Sequence, residues 1–261
     1  MLGARSVRCD ALGVVFRRLA PDRCGVMPDL SWPGAWRGEV SGAAVTVGDV
    51  DEVAGPLPDP NPVDLADAGR RGGEELRLFL RRRALLRALV ARRLGLAVGA
   101  IVVGYDARGA PVLRQPRMAQ TRGRSEPRLF ISLSARGRLA AFALAQEPVG
   151  IDLEPLVDPG PLAAALTSAE RAAVAAVPED ARPVMVLRYW TAKEAYLKAL
   201  GTGLRRDPAL VGIAAGSDES FAVRDSGRPN AERRGAAGQG HWLWPTVRGS
   251  PLVVAIFHGD R

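Results

Sequence analysis

The chain has 261 residues, 47% hydrophobic and 25% charged, the balance of a globular protein with a sizeable core rather than of a disordered or fibrous one. Lys and Arg total 36 against 28 Asp and Glu, and the net charge of +8 favours phosphates, acidic proteins or nucleic acid as partners. No run approaches the roughly 18 apolar residues of a membrane span, the start of the chain has no secretory h-region, and Cys9 and Cys24 lack histidines at ligand spacing, so a cytoplasmic protein without disulfides or structural zinc is expected.

Residues 1 to 42 mix Arg, Gly, Pro and apolar residues without a sustained period and read as an N-terminal extension. Its first two dozen residues, ahead of Met27, are either dispensable or an ordered arm packed on the body. The first strand-like run is 43 to 50, and Pro56, Pro58, Pro60 and Pro62 then impose an extended loop. From Glu74 to Leu94, apolar residues three or four apart alternate with Arg77, Arg81, Arg82, Arg83, Arg87, Arg92 and Arg93, the pattern of an amphipathic, strongly basic helix. Short β-like segments at 101 to 105 and 111 to 113 flank an Asp-Ala-Arg-Gly turn, and strands over 128 to 134 and 139 to 145 flank a second turn.

A strand at 149 to 153 follows, and Thr167 with Glu170 makes a capping box that starts an alanine-rich helix. A further helix over 184 to 200 ends at Gly201, and a last strand spans 252 to 257. The expected class is α+β, with a first half at 43 to 145 and a second at 146 to 261 of similar layout.

Two stretches carry chemistry. In Gly150-Ile151-Asp152-Leu153-Glu154 the carboxylates are two apart on a strand and share a face about 7 Å apart. In Trp190-Thr191-Ala192-Lys193-Glu194-Ala195-Tyr196-Leu197-Lys198, Glu194 and Lys198 share a helix face, amid apolar neighbours that predict burial. Three carboxylates and a lysine suit a hard cation that also binds substrate phosphates. There is no Gly-rich phosphate loop and no Gly-x-Ser-x-Gly elbow, and His241 and His258 lie outside these stretches, so neither a nucleoside triphosphatase nor a serine hydrolase is indicated. A nucleic-acid binder is disfavoured, because no aromatic stacking platform accompanies the charge.

The two stretches and their spacing resemble the surfactin-type 4′-phosphopantetheinyl transferases, with a Gly-x-Asp-x-Glu strand and, some 40 residues on, a Trp-x-x-Lys-Glu-Ala-x-x-x-Lys helix. The likeness continues into Ala199-Leu200-Gly201-Thr202-Gly203-Leu204. It implies two similar α/β halves related by a pseudo-twofold axis, with coenzyme A in the cleft between them. Asp152, Glu154 and Glu194 would then be the ligands of Mg²⁺, with Mn²⁺ an alternative. Glu194 is the implied general base, and Lys198 would act on developing phosphate charge. Ser134, Arg136, Lys193, Arg77 and Arg81 are the residues in reach of coenzyme A under this resemblance. The implied partners are coenzyme A and an acyl or peptidyl carrier protein, with no membrane or nucleic acid, in a monomer.

Three departures accompany the likeness. Where the family has Asn-x-Ser-His-Ser, this chain reads Ser132-Leu133-Ser134-Ala135-Arg136, so the histidine is Ala135. The lysine of the family's Gly-Lys-Pro is Ala110, and a frequent family arginine falls on Leu78. Two readings follow: an active transferase with substituted phosphate contacts, or a degenerate member that binds coenzyme A or a carrier without turnover.

Overall fold

A computed structural model describes residues 31–114, 129–216, 219–226 and 238–259. Met27, Cys9 and Cys24 lie outside the described residues. The architecture is α+β, with two antiparallel sheets that share a core and a long helix on the outer face of each.

The first sheet begins earlier than the hydrophobic pattern predicts. Strand β1 (Trp36–Val40) runs antiparallel to β2 (Ala43–Asp49) through a turn at Ser41 and Gly42, both at positive φ as a tight hairpin turn demands. Trp32, just ahead of it, is buried, donates its indole N–H to the Asp49 carbonyl at 2.7 Å and packs edge-on against Phe142. Residues 31–42, assigned above to an extension, thus supply a sheet strand and a core side chain. Period-2 reasoning missed β1 because its sequence, WRGEV, buries only Gly38 and Val40.

A short helix, α1 (Pro62–Ala68), also went unread inside the proline-rich loop. Asn61 and Asp64 form a reciprocal capping box with Pro62 in the first turn, the place where a missing amide costs nothing. The basic helix α2 (Gly73–Leu94) ends at Gly95 in the left-handed conformation. Not all its arginines are solvated. Arg83 pairs with Asp64 at 3.0 Å and Asp67 at 2.8 Å, and Arg87 lies 3.1 Å from Asp64, so α1 exists partly to neutralise two buried guanidiniums.

The hairpin of β3 (Val102–Tyr105) and β4 (Pro111–Arg114) matches its prediction. Strand β5 (Phe130–Arg136) runs two residues past its expected end, because Arg136 still pairs with Leu139, the first residue of β6 (Leu139–Ala145), around a turn at Gly137 and Arg138. That extension decides where Arg136 points. The sheet order is β1-β2-β6-β5, and α2 covers one of its faces.

The second sheet is built on β12 (Ser250–Gly259), flanked by β7 (Val149–Pro155) and β10 (Gly238–Leu243), with β9 (Ser220–Asp225) and β8 (Val211–Ala215) beyond β10 and the two-residue β11 (Thr246–Val247) closing a turn onto β12. Helix α3 (Ser168–Ala176) starts at the predicted capping box of Thr167 and Glu170. Helix α4 (Arg182–Ala199) admits Pro183 in its first turn and packs on β7 and β12.

The register explains which residues of β7 can do chemistry. Ile151 and Leu153 lie opposite Ile256 and Val254, and all four are buried in the apolar layer between the two sheets. Gly150, Asp152 and Glu154 lie opposite Phe257, Ala255 and Val253, on the face that meets α4. Gly150 permits a close approach: a Cβ there would overlap the Ala195 carbonyl and stand 2.6 Å from the Ala199 amide. Gly150→Ala is therefore expected to lower unfolding free energy by about 1–3 kcal/mol, since backbone, not a flexible side chain, must move. Urea denaturation measures it, and wild-type stability would show that β7 and α4 are not in such contact.

Candidate active site

The site forms where the edge strands of the two sheets meet. β5 and β7 are joined by the Ile151 amide, which donates to Ser132 Oγ at 3.1 Å, and two residues further along Ser134 Oγ donates to Asp152 Oδ1 at 2.7 Å. From α4, one face brings Trp190, Glu194 and Lys198 over the same strand, as spacing of four residues requires. Lys198 Nζ donates to Asp152 Oδ1 at 2.6 Å and to the Ile151 carbonyl at 3.2 Å. Both sheets and both stretches singled out above therefore contribute to one cluster.

Asp152, Glu154 and Glu194 are 1%, 7% and 9% exposed, so each needs a partner or pays desolvation. Their partners differ. Asp152 Oδ2 and Glu194 Oε1 are buried with no hydrogen bond. Burial, and then the charge of Asp152, push the Glu194 carboxyl above the usual carboxylate range, against the opposing pull of Lys198 and Arg136. Glu154 instead has both oxygens occupied: Arg136 grips it through Nε at 2.8 Å and through Nη2, and the Trp190 indole donates at 3.1 Å. The bidentate bond to Glu154 raises the Arg136 pKa further.

The three carboxylates expected to hold a metal ion, Asp152, Glu154 and Glu194, thus meet in one cluster with a cation among them. Among the described residues no three Asp, Glu, His or Cys side chains converge as they stand to hold an ion. Arg136, a cation from the neighbouring sheet, pairs with Glu154. The free oxygens of Asp152 and Glu194 fit a hard cation, whose other ligands would be phosphate oxygens and water.

Three other predicted contacts lie elsewhere. Lys193 points away from the cluster into the second half, fully buried, where it meets Glu170 Oε2 at 2.6 Å and the carbonyls of Ala165 and Pro208 at 2.8 and 3.1 Å. Four residues separate Trp190, Glu194 and Lys198, whereas Lys193 falls on a different helix face. Arg77 spends its guanidinium on Glu74 and Asp51, all at 2.6–2.9 Å, and Arg81 donates to the Val50 carbonyl at 2.8 Å. Neither reaches Asp152 or Glu194 in these pairings. They border instead, through Asp51, on Arg138. Leu78 is core and Ala110 only closes the β3–β4 turn with its amide on Asp106, so neither supplies a charge.

The sequence did not place Trp190 at the cluster, nor Arg138 and Arg248 beside Arg136. Arg136, Arg138 and Arg248 line a cavity of about 350 Å³ with Asp49, Leu139, Val247 and Ser250. Arg248, at φ 50°, occupies the β11–β12 turn and reaches across to Asp49 of the first half at 3.2 Å. Only Trp190 had a legible signal, its spacing of four residues from Glu194.

Residues 148–250 match the family model of the 4′-phosphopantetheinyl transferase superfamily, a stretch that contains Asp152, Glu154, Trp190, Glu194 and Lys198. The chain is also 34% identical over 138 residues to the 4′-phosphopantetheinyl transferase HetI of Nostoc sp. strain PCC 7120, an alignment covering 51% of this chain and 55% of that protein. It thus spans about half the length of the curated relative it matches. The carboxylates, the lysine and the close β7–α4 contact all lie inside the stretch that is similar to the 4′-phosphopantetheinyl transferase superfamily.

Proposed function

We propose that the protein transfers the 4′-phosphopantetheine group of coenzyme A to a serine of an acyl or peptidyl carrier protein, releasing adenosine 3′,5′-bisphosphate. The observation that carries this reading is the pair of unpartnered, buried carboxylate oxygens, Asp152 Oδ2 and Glu194 Oε1, with Lys198 and Arg136 alongside. Asp152 and Glu194 would hold Mg²⁺ or Mn²⁺, which supplies Lewis-acid polarisation of the pyrophosphate. Glu194, whose carboxyl is pushed up by burial, suits acceptance of the serine proton on the oxygen not given to the cation. The serine oxygen bonds to the β-phosphorus as the bond to the bridging pyrophosphate oxygen breaks, and Lys198 and Arg136 offset the charge left on the departing bisphosphate. Ser134 fixes the Asp152 carboxylate by its 2.7 Å hydrogen bond. Among the described residues no helix is long and apolar enough to cross a membrane.

A second reading, a coenzyme A or carrier-binding module without turnover, is favoured by the absence of side-chain donors at Ala110 and Ala135. One experiment separates them. Incubation of the full chain with coenzyme A, Mg²⁺ and a panel of apo carrier proteins is expected to add about 340 Da to a carrier serine by intact mass. Coenzyme binding without any mass gain across the panel would establish the second reading instead.

A further inference from the structure

Arg136 is the residue by which this cluster departs from a plain acidic metal site, and its surroundings are built. Its guanidinium is held on one edge by both oxygens of Glu154, and Nη1 donates to the Ala135 carbonyl at 3.0 Å. Glu154 is itself buried and fixed from the other side by the Trp190 indole, so the fork cannot rotate without breaking a charge-assisted pair. Each terminal nitrogen of an arginine carries a second N–H. These remain for a ligand, and the side chain, 44% exposed, lines the 350 Å³ cavity together with Arg138 and Arg248. A planar fork with donors to spare, lining a cavity with two further arginines and Asp49, matches phosphate oxygens rather than a metal.

We infer that Glu154 is a positioning residue for Arg136 and not a ligand of the cation, and that Arg136 so held is a phosphate-binding residue of the donor substrate. The inference rests on the transfer reading for the identity of that substrate. It divides the three acidic residues into two tasks: Asp152 and Glu194, with free oxygens, take the cation, while Glu154 with Trp190 preorganises a guanidinium beside it. The extra length of β5 is what permits this, since Arg136 follows Ser134 by two residues and so faces β7 as Ser134 does.

Two titrations test it with the full chain, each variant first checked for a native circular-dichroism melt. In the first, Mn²⁺ alone is titrated calorimetrically. Glu154→Gln is expected to hold Mn²⁺ within roughly threefold of wild type, while Asp152→Asn and Glu194→Gln weaken it by about tenfold or more. In the second, coenzyme A is titrated in EDTA. Arg136→Gln and Glu154→Gln are each expected to weaken binding by about tenfold, and the double variant to lose no more than either single one, as residues acting as one unit do. A loss of Mn²⁺ affinity in Glu154→Gln equal to that in Asp152→Asn would overturn the inference, as would additive losses in the double variant. The Mn²⁺ comparison stays readable even if no carrier gains mass, so failure of the transfer reading and failure of this division of labour are distinct results.

Discussion

Asp152→Asn is expected to lower the rate of carrier modification by about 10³-fold while leaving a folded protein. Asp152 Oδ1 receives both Ser134 and Lys198, and Oδ2 is free and buried. The asparagine keeps the shape but removes the charge that a cation needs, and with its oxygen kept at the Oδ1 position it puts a donor NH2 where Oδ2 was free for the cation. The fold has less at stake than the chemistry. Lys198 is partly exposed, so its ammonium can turn to water, and Ser134 can still bond the amide oxygen. Relief of the like-charge pressure between Asp152 and Glu194 offsets part of the loss. Intact-mass time courses on a responsive carrier measure the rate, and thermal melts measure the fold. A variant that modifies the carrier at the wild-type rate would show that the cation ligands lie elsewhere.

How much of this was legible in advance depends on the range of the forces involved. The acidic strand and the glutamate helix were readable because each is local: alternation sets Asp152 and Glu154 on one face, and spacing of four residues sets Trp190, Glu194 and Lys198 on another. Their convergence was readable only through the resemblance, because β7 and α4 meet by way of a glycine whose role is the absence of a side chain. What escaped reading was pairing between distant residues. Nothing near Arg136 in the sequence announces that Glu154 will hold it, and nothing near Arg83 announces Asp64. An arginine-rich helix looks the same whether its charges face water, as at Arg92 and Arg93, or are neutralised in the interior, as at Arg83 and Arg87. The fold boundary at residue 43 failed for a similar reason: β1 is an edge strand with few inward side chains, and Trp32 enters the core from an irregular segment that no period marks.

Lys193 gives the sharpest test of the distinction between motif and site. It stands beside Glu194 in the sequence, yet its ammonium sits in the interior of the second half, where burial lowers its pKa and Glu170 opposes that shift. Glu170 is in turn committed to the Thr167 amide at 2.7 Å and the Ile213 amide at 2.8 Å, so the pair joins the start of α3, the middle of α4 and strand β8. Lys193→Ala would leave a buried carboxylate without its counter-charge and free the carbonyls of Ala165 and Pro208. The expected cost is about 3–5 kcal/mol of unfolding free energy, since breaking one side of a buried pair exposes the desolvation it had offset. Lys193→Ala combined with Glu170→Gln should recover part of that loss, because no buried charge then remains. Mn²⁺ affinity of the folded single variant is expected to stay within roughly threefold of wild type, the lysine being absent from the cluster of Asp152 and Glu194. Denaturant unfolding and calorimetry give the two numbers. A change in stability below about 1 kcal/mol, or a collapse of Mn²⁺ binding in a fully folded variant, would move Lys193 back toward the chemistry.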